Sequence, residues 1–589
     1  MIDGAPVNQD NFRSLNPQDI ESIDILKDAG ATAIYGNRGA NGVIVIKTKG
    51  GSYKQALKIN YSGFTSFSNL PENDYDIMNS QQLLTLERDL GVGVGAGVSS
   101  NKGYNPTTGG ELLTDQQIAE APNTDWLDFF FRTGLTMNHN LTFTSGGENS
   151  SQFTSFGYQE TEGILVQSNL KRFNIRNNLN LKSDDDKFNF SSNLTLNYST
   201  NDDQNNVIAG SPGTVNRNFV FGATQSLPYN TPGQYTDEVI EAVVASPAVI
   251  DAPFFLVDRL NQYAQIEEEL KIVGSINLSY DIFDWFNVSS ISSADYQNVI
   301  GTRAQFPDAI NSRIFGGNNE FQNQNTNRQF TFNQLTSLNF KKSFGKHKFN
   351  LSLYTEYYKA HLRSFGFTAN GLDPRTFALG DGSSFISDNS ENDIFVDTIF
   401  ANKLNLGLFS YFTSFDYDFD KKYGIGATIR RDASSRFSGS NRWGTFWSVS
   451  GRWNISNEEF FDSETINNLK LRGSYGTNGN QDILGAGNFS APDLYLDLFA
   501  TTPGYANNNS IVLSQLGNRD LKWGTITQLN FGLDFGLYNN SLRGSIDYYE
   551  KTTTDLYQFV SLSATTGVTG QNANFGELQN RGLDLQLDY

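Results

Sequence analysis

The sequence predicts an all-β chain: a partial antiparallel transmembrane β-barrel of about 16 strands, preceded by a small α/β unit. Three observations predict it. Apolar and small polar residues alternate with period two through most of the chain, the joining segments are alternately long and short, and aromatics are plentiful while charge is scarce.

The composition narrows the function classes first. Of 589 residues, 13% are aromatic and 18% charged, against about a quarter charged in an ordinary soluble domain. A formal net charge of -20 speaks against nucleic acid as a partner, because binding it takes clustered Lys and Arg. The chain has no cysteine, which excludes thiol catalysis, disulfide scaffolds and Cys-ligated zinc. The longest apolar-leaning stretch, residues 243–257, is interrupted by Pro247, Asp251 and Pro253, so a membrane role must come from strands. No basic segment followed by an apolar one opens the chain. It begins inside a folded element, and truncation is expected there.

Residues 1–51 read as a separate unit. Ile20, Ile23, Ile25 and Leu26 mark a short strand, and Asp28 is placed to cap a brief helix through Tyr35 that Gly36 ends. Asn37 to Gly42 is turn chemistry, and Val43 to Ile46 is an apolar run of the kind buried on both faces.

Residues 52–589 carry the alternation. Leu529, Phe531, Leu533, Phe535 and Leu537 share one face, with Asn530, Gly532, Asp534 and Gly536 on the other. The parity changes near Ser410, where a bulge or a misplaced boundary is expected. Strands are expected to start near residues 56, 136, 152, 172, 187, 270, 285, 328, 347, 403, 423, 445, 468, 525, 541 and 580. Short turns fall at one end and long loops at the other. That asymmetry is expected of an outer-membrane barrel, since backbone amides in hydrocarbon must pair within the protein.

The segment LNPQDIESIDILKDAGATAIYGNRGANGVIVIKTKGG, from Leu15 to Gly51, resembles the plug of the SusC/RagA family of TonB-dependent outer-membrane transporters. RRDASSRFSGSNRWGTFWSVSGRWNISNEEFF (Arg430 to Phe461), LKLRGSYGTNGNQDI (Leu469 to Ile483), NRDLKWGTITQLNFGLDFGLYNNSLRGSIDYYEKTTTDLY (Asn518 to Tyr557) and NFGELQNRGLDLQL (Asn574 to Leu587) extend the resemblance along the barrel. It implies residues 1–51 as the C-terminal part of a plug and residues 52–589 as a barrel truncated at its C-terminus, with about 16 of the about 22 strands of such transporters. It also implies active import of oligosaccharides, or of peptides, under a SusD-like lipoprotein lid. The TonB–ExbB–ExbD complex would drive import through a box outside this sequence, and the barrel wall would be in contact with outer-membrane lipid. The alternative is a passive porin or a surface glycan-binding β protein, from which an α/β piece in the lumen would distinguish it.

Plug and barrel in this family touch through polar groups. The residues expected in the plug motif and its contacts are Asp19, Glu21, Asp24, Lys27, Asp28, Gly36, Arg38, Gly39, Asn41 and Gly42. Arg430, Arg431, Arg452 and Arg472 are the candidate wall partners, and Tyr229, Tyr235, Phe254, Phe255, Trp443, Tyr495 and Tyr505 the loop aromatics that can stack on substrate. The glycine run Gly91 to Ala96 follows a helix-like segment, Gln81 to Leu90, where a dinucleotide fingerprint needs a strand. It reads as flexible external loop. Asp184 to Asp186 and residues 201–206 lack the spaced acidic pattern of a calcium loop. His139, His347 and His361 lack metal spacing, and no catalytic triad or carboxylate pair stands out. No metal, cofactor or enzymatic activity is expected.

Overall fold

The computed structural model describes residues 1–7, 15–72, 74–98, 110–203, 218–245, 252–314, 320–386, 397–481, 493–505, 508–563, 565 and 567–589. Near the N-terminus, β1 (Ile20–Leu26) and β2 (Val43–Thr48) form a two-stranded antiparallel sheet. Between them lie a helical turn, Ala29–Thr32, and a 3-10 stretch, Ala33–Gly39. Gly36 interrupts that stretch with φ 59° and ψ -140°, a conformation open essentially to glycine alone. The expectation of burial on both faces for residues 43–46 is corrected here. Val43 and Ile46 are buried but Ile44 is half exposed, because a sheet of two strands has only one neighbour to pack against.

The wall begins with β3 (Lys58–Ser68), β4 (Gly134–Gly146), β5 (Ser150–Glu162), β6 (Asn169–Lys182), β7 (Phe188–Asp202), β8 (Tyr263–Phe283) and β9 (Phe286–Gln305). It continues with β10 (Phe321–Phe344), β11 (His347–Asn370), β12 (Thr398–Phe419), β13 (Tyr423–Ser434), β14 (Trp443–Asn454) and β15 (Ile466–Asn480). An outlying hairpin, β16 (Leu498–Pro503) and β17 (Asn509–Gln515), precedes β18 (Gly524–Leu537) and β19 (Leu542–Thr554). A second hairpin, β20 (Tyr557–Ser561) and β21 (Gly570–Asn574), precedes β22 (Glu577–Asp588). Sixteen of these strands make one antiparallel sheet, each paired with its neighbours in chain order once the two hairpins are set aside. The sheet is open: β3 and β22 are its edges, each paired on one side. About 10 residues suffice for a tilted strand to cross a bilayer. β10 and β11, at 24 residues each, therefore rise well beyond it.

The two faces of the sheet have opposite chemistry. On β18, Phe531 is exposed on the outside while Asn530 is buried in the lumen. The turns at one end are tight, and at Asp420 and Lys421 both φ values are positive (52° and 57°), as a two-residue reversal of twisted strands requires. Lengths do not alternate strictly. The turn-end connection 455–465 is longer than the loop-end connections 163–168 and 435–442.

At the expected bulge near Ser410 the register of β12 with β11 and β13 runs without a shift. The parity changes because the loop-end part of β12 stands above the polar lumen. There Leu406 and Leu408 pack on their inner face with Phe437, Phe446, Leu521 and Trp523. Lower down, the inward positions include Ser410, Phe412, which lies under the Arg430 guanidinium, and Asp416.

Candidate functional site between the inner unit and the wall

The sheet of β1 and β2 lies inside the curve of the wall, and polar side chains join the two. On β13, Arg430 is buried at 1% exposure, and its guanidinium is spent on both bodies. Its Nη1 donates to the backbone oxygen of Ile34 at 2.8 Å. The remaining donors serve Glu356 of β11 at 2.6 Å, Ser410 at 2.9 Å and Asp432 at 2.5 Å. Arg38 of the inner unit pairs with the other oxygen of Glu356 and lies 5.2 Å from the centre of the Tyr358 ring. Gly36 fits against this cluster because it has no side chain. A Cβ there would stand 2.4 Å from Arg430 Nε, and that guanidinium is pinned by four partners.

A second cluster lies closer to the turn end. Arg472 of β15 donates to Asp28 at 3.2 Å, to Asp534 at 3.1 Å and to Asp547 at 2.7 Å. Burial pushes the Asp28 carboxyl above its usual range, and Arg472 opposes that shift. Asn478 donates to Thr32 Oγ1 at 3.1 Å, and Lys551 donates to Ala40 O and Asn41 Oδ1 at 2.9 and 3.0 Å.

The opposite flank is held by other groups. Asn16 donates to Asn140 at 3.1 Å, Ser155 to Asp19 at 2.8 Å and Ser62 to Gln18 at 2.7 Å. Burial raises the Asp19 carboxyl as well, against the pull of Ser155. Buried Arg176 of β6 pairs with Asp3, and Asn178 donates to Thr48 Oγ1 and Lys49 O.

This geometry, a polar lumen filled by a small α/β body, agrees with the profile of the TonB dependent receptor-like beta-barrel, which matches residues 116–589. The TonB-dependent receptor plug domain matches residues 1–43. The chain belongs to the TonB-dependent receptors, in their SusC/RagA branch. Its relatives include TonB-dependent receptor P3 of Formosa agariphila, 30% identical over 97% of this chain and 52% of that protein. SusC of Bacteroides thetaiotaomicron is 27% identical over all of this chain and 56% of its own length. The chain thus spans about half the length of the curated relatives it matches. The solved RagAB peptide importer shares the fold, with TM-score 0.80, 23% identity, and coverage of all of this chain and 64% of that one.

Other expected plug contacts fall differently. Glu21 pairs with Lys47 inside the plug at 3.0 Å, both exposed, and Asp24 is exposed on β1. Lys27 does reach the wall, meeting Asp584 of β22 at 3.3 Å in solvent, and its backbone oxygen accepts from Gln528 of β18 at 2.9 Å. Gly39 is buried and packs on the helical turn, where a Cβ would meet Thr32 O at 2.7 Å, and Gly42 turns the chain into β2 with φ 99°. Arg431 is corrected as a wall partner. Next to Arg430 in the strand, it points to the outer face, where its guanidinium lies 5.1 Å from the Trp443 ring centre and donates to Tyr411 OH. Arg452 faces the lumen side but pairs with Asp418 of the wall.

The loop aromatics largely serve packing. Tyr229 is buried with Leu84, Val94 and Leu113, and its hydroxyl donates to Glu87 at 2.9 Å. Tyr235 donates to buried Asp258 at 2.6 Å. Phe254 is wholly buried, and Phe255 packs on Ile240 and Ile310. Trp443 sits on the outer face beside Tyr411, and Tyr495 is half-buried. Tyr505, 96% exposed, stands free at the β16–β17 hairpin. The glycine run expected to be loose is packed, with Val94 buried and Gly95 N donating to Glu87 at 3.0 Å. Among the described residues no acidic or histidine group is spaced for a metal; residues 204–206 of the second acidic segment lie outside them.

Sequence reasoning missed the wall carboxylates Glu356, Asp432, Asp534 and Asp547, and also Asp3 with Arg176. One signal was available: Asp432 stands two residues from Arg430 and hence on the same face. Glu356 gave none, because its partners come from strands and a plug far away in sequence.

Proposed function

We propose that the chain forms the plug and most of the barrel wall of an active importer in the bacterial outer membrane. Its cargo is an oligosaccharide, with peptides as the second class. Substrate is held between the loops, the plug and a SusD-like lipoprotein, and the TonB–ExbB–ExbD complex supplies the work. The observation that carries this reading is the obstructed lumen: Arg430, Arg472, Asn478 and Lys551 all bond the plug across it. A passive porin needs no such body in its pore. An aqueous, charge-lined interior also has to be reopened against these contacts, which calls for an external source of work.

The test is growth of a strain lacking the parent gene on a panel of glycans and peptides, with and without a functional TonB. Loss of growth on defined oligosaccharides in both the deletion and the TonB-deficient strain is expected. Growth that needs the gene but not TonB would return the reading to a passive pore.

A further inference from the structure

The outward face of the wall changes its chemistry with height. On β11 the odd-numbered residues face out, alternating with buried Glu356, Tyr358 and Ala360. From Phe349 at the turn end to Tyr357 they carry no charge, and beyond Tyr357 they turn basic, at Lys359 and Arg363. Arg363 stands opposite Arg328 of β10 on one side and Lys403 of β12 on the other. All three are exposed. In a chain of net charge -20, the outward positions of β10 to β13 hold no Asp or Glu. Three cations abreast on strands about 4.8 Å apart repel one another. No side chain of this face offsets that repulsion; an anion laid along the row would.

The height of the row says where that anion comes from. Arg363 lies about 14 residues beyond Phe349, whose ring packs 5.0 Å from that of Tyr417 among the turn-end aromatics. At the usual rise and tilt of a barrel strand this is about 35 Å of height, and the apolar band of such a wall is only about 25 Å tall. The row therefore clears the hydrocarbon and stands among the headgroups of the loop-side leaflet. Below it Phe330, Tyr357 and Phe409 are exposed, a surface suited to acyl chains. Beyond it exposed Phe365 offers a ring face on which a sugar can rest.

We propose that Arg328, Arg363 and Lys403 form a binding site for a phosphate-bearing glycolipid of the outer leaflet. Its phosphates lie along the row, where guanidinium groups can grip them through paired N–H donors. Its chains lie on the aromatic surface below, and its sugar lies against Phe365. A glycerophospholipid brings no sugar and fills less of the site. The proposal rests on the wall lying in the outer membrane and is independent of what the barrel imports.

The test uses the full-length transporter in detergent. Its binding is measured to diphosphoryl lipid A, to the same lipid stripped of its phosphates, and to phosphatidylglycerol. The triple variant Arg328→Gln, Arg363→Gln, Lys403→Gln is expected to bind diphosphoryl lipid A more weakly than the unchanged protein by about tenfold or more. Lys342→Gln, on the same face but at the turn end, should leave binding within about twofold. Stripping the phosphates should weaken binding to the unchanged protein by a like factor, and to the triple variant by less than about twofold. Equal affinity in the triple variant and the unchanged protein overturns the site, as does an equal loss in K342Q. Phosphatidylglycerol bound as tightly as diphosphoryl lipid A overturns the glycolipid assignment. A co-purifying protein lost from the triple variant while lipid binding holds gives the row to a protein partner instead. Growth on the nutrient panel reports on import alone, so either reading can fail without the other.

Discussion

Ile429 and Arg430 are neighbours on β13, yet Ile429 is 52% exposed and Arg430 is 1% exposed. In a soluble protein the exposures would be reversed. Here the exposed face meets an apolar solvent, so Ile429 is stable there, and the buried face is a polar seam between two bodies, so a guanidinium can be satisfied there. Exposure alone therefore says little about this wall. What decides a residue's fate is the partner each face offers, and that can be tested one position at a time.

The largest effect is expected from Arg430→Ala in the full-length protein. It leaves Glu356 and Asp432 buried beside each other with one cation gone, at a cost of about 3–5 kcal/mol, measurable as a drop in the urea midpoint of the folded barrel in detergent. Ile429→Arg moves the same charge one residue along, onto the outer face. A loss of about 2–4 kcal/mol is expected in reversible folding into lipid vesicles. No loss would mean that this face does not lie in hydrocarbon.

Asp258 sharpens the contrast, being buried like Arg430 but in the loops, with neutral donors around it. It accepts from Tyr235 OH and from the amide of Ile310, and burial raises its pKa from 3.8 to about 7. The folded loop holds this proton more tightly than the unfolded one. Its contribution is therefore full below pH 3.8 and is lost as pH rises toward 7, at no more than about 1.4 kcal/mol per pH unit. Hydrogen exchange at the Ile310 amide should quicken across that window beyond its intrinsic rate, and Asp258→Asn should remove the excess. The smallest effect is expected from Glu21→Ala. Its pair with Lys47 is exposed, so the urea midpoint should move by less than about 0.5 kcal/mol in stability.

Much of the wall was legible because lipid and lumen impose opposite chemistry on alternate residues, and each expected start lies within seven residues of a wall strand's first residue. Where a third environment intervened, the pattern misled. Leu406 and Leu408 lie under the loops, which made a continuous strand look bulged. The hairpins β16–β17 and β20–β21 are short strands inside long connections, where period two over five to seven residues has too few repeats to stand out. At the site, Arg430 and Arg472 could be nominated as charges on lumen parity, and Arg431 failed because parity places it outside. Of their carboxylate partners, Asp432 and Asp534 shared that lumen parity, whereas Glu356 and Asp547 gave no signal, since they reach the arginines only once strands distant in sequence are laid side by side.

Arg472 touches one carboxylate of the plug and two of the wall, and Glu356 holds one cation from each body. If the plug swings away, the ions of these two clusters left behind on the strands still have an opposite charge within reach. That part of the vacated socket then has no reason to collapse or recruit a foreign ion, and a returning plug finds this side of its seat already shaped. Such a barrel can be emptied and refilled without relearning its own form.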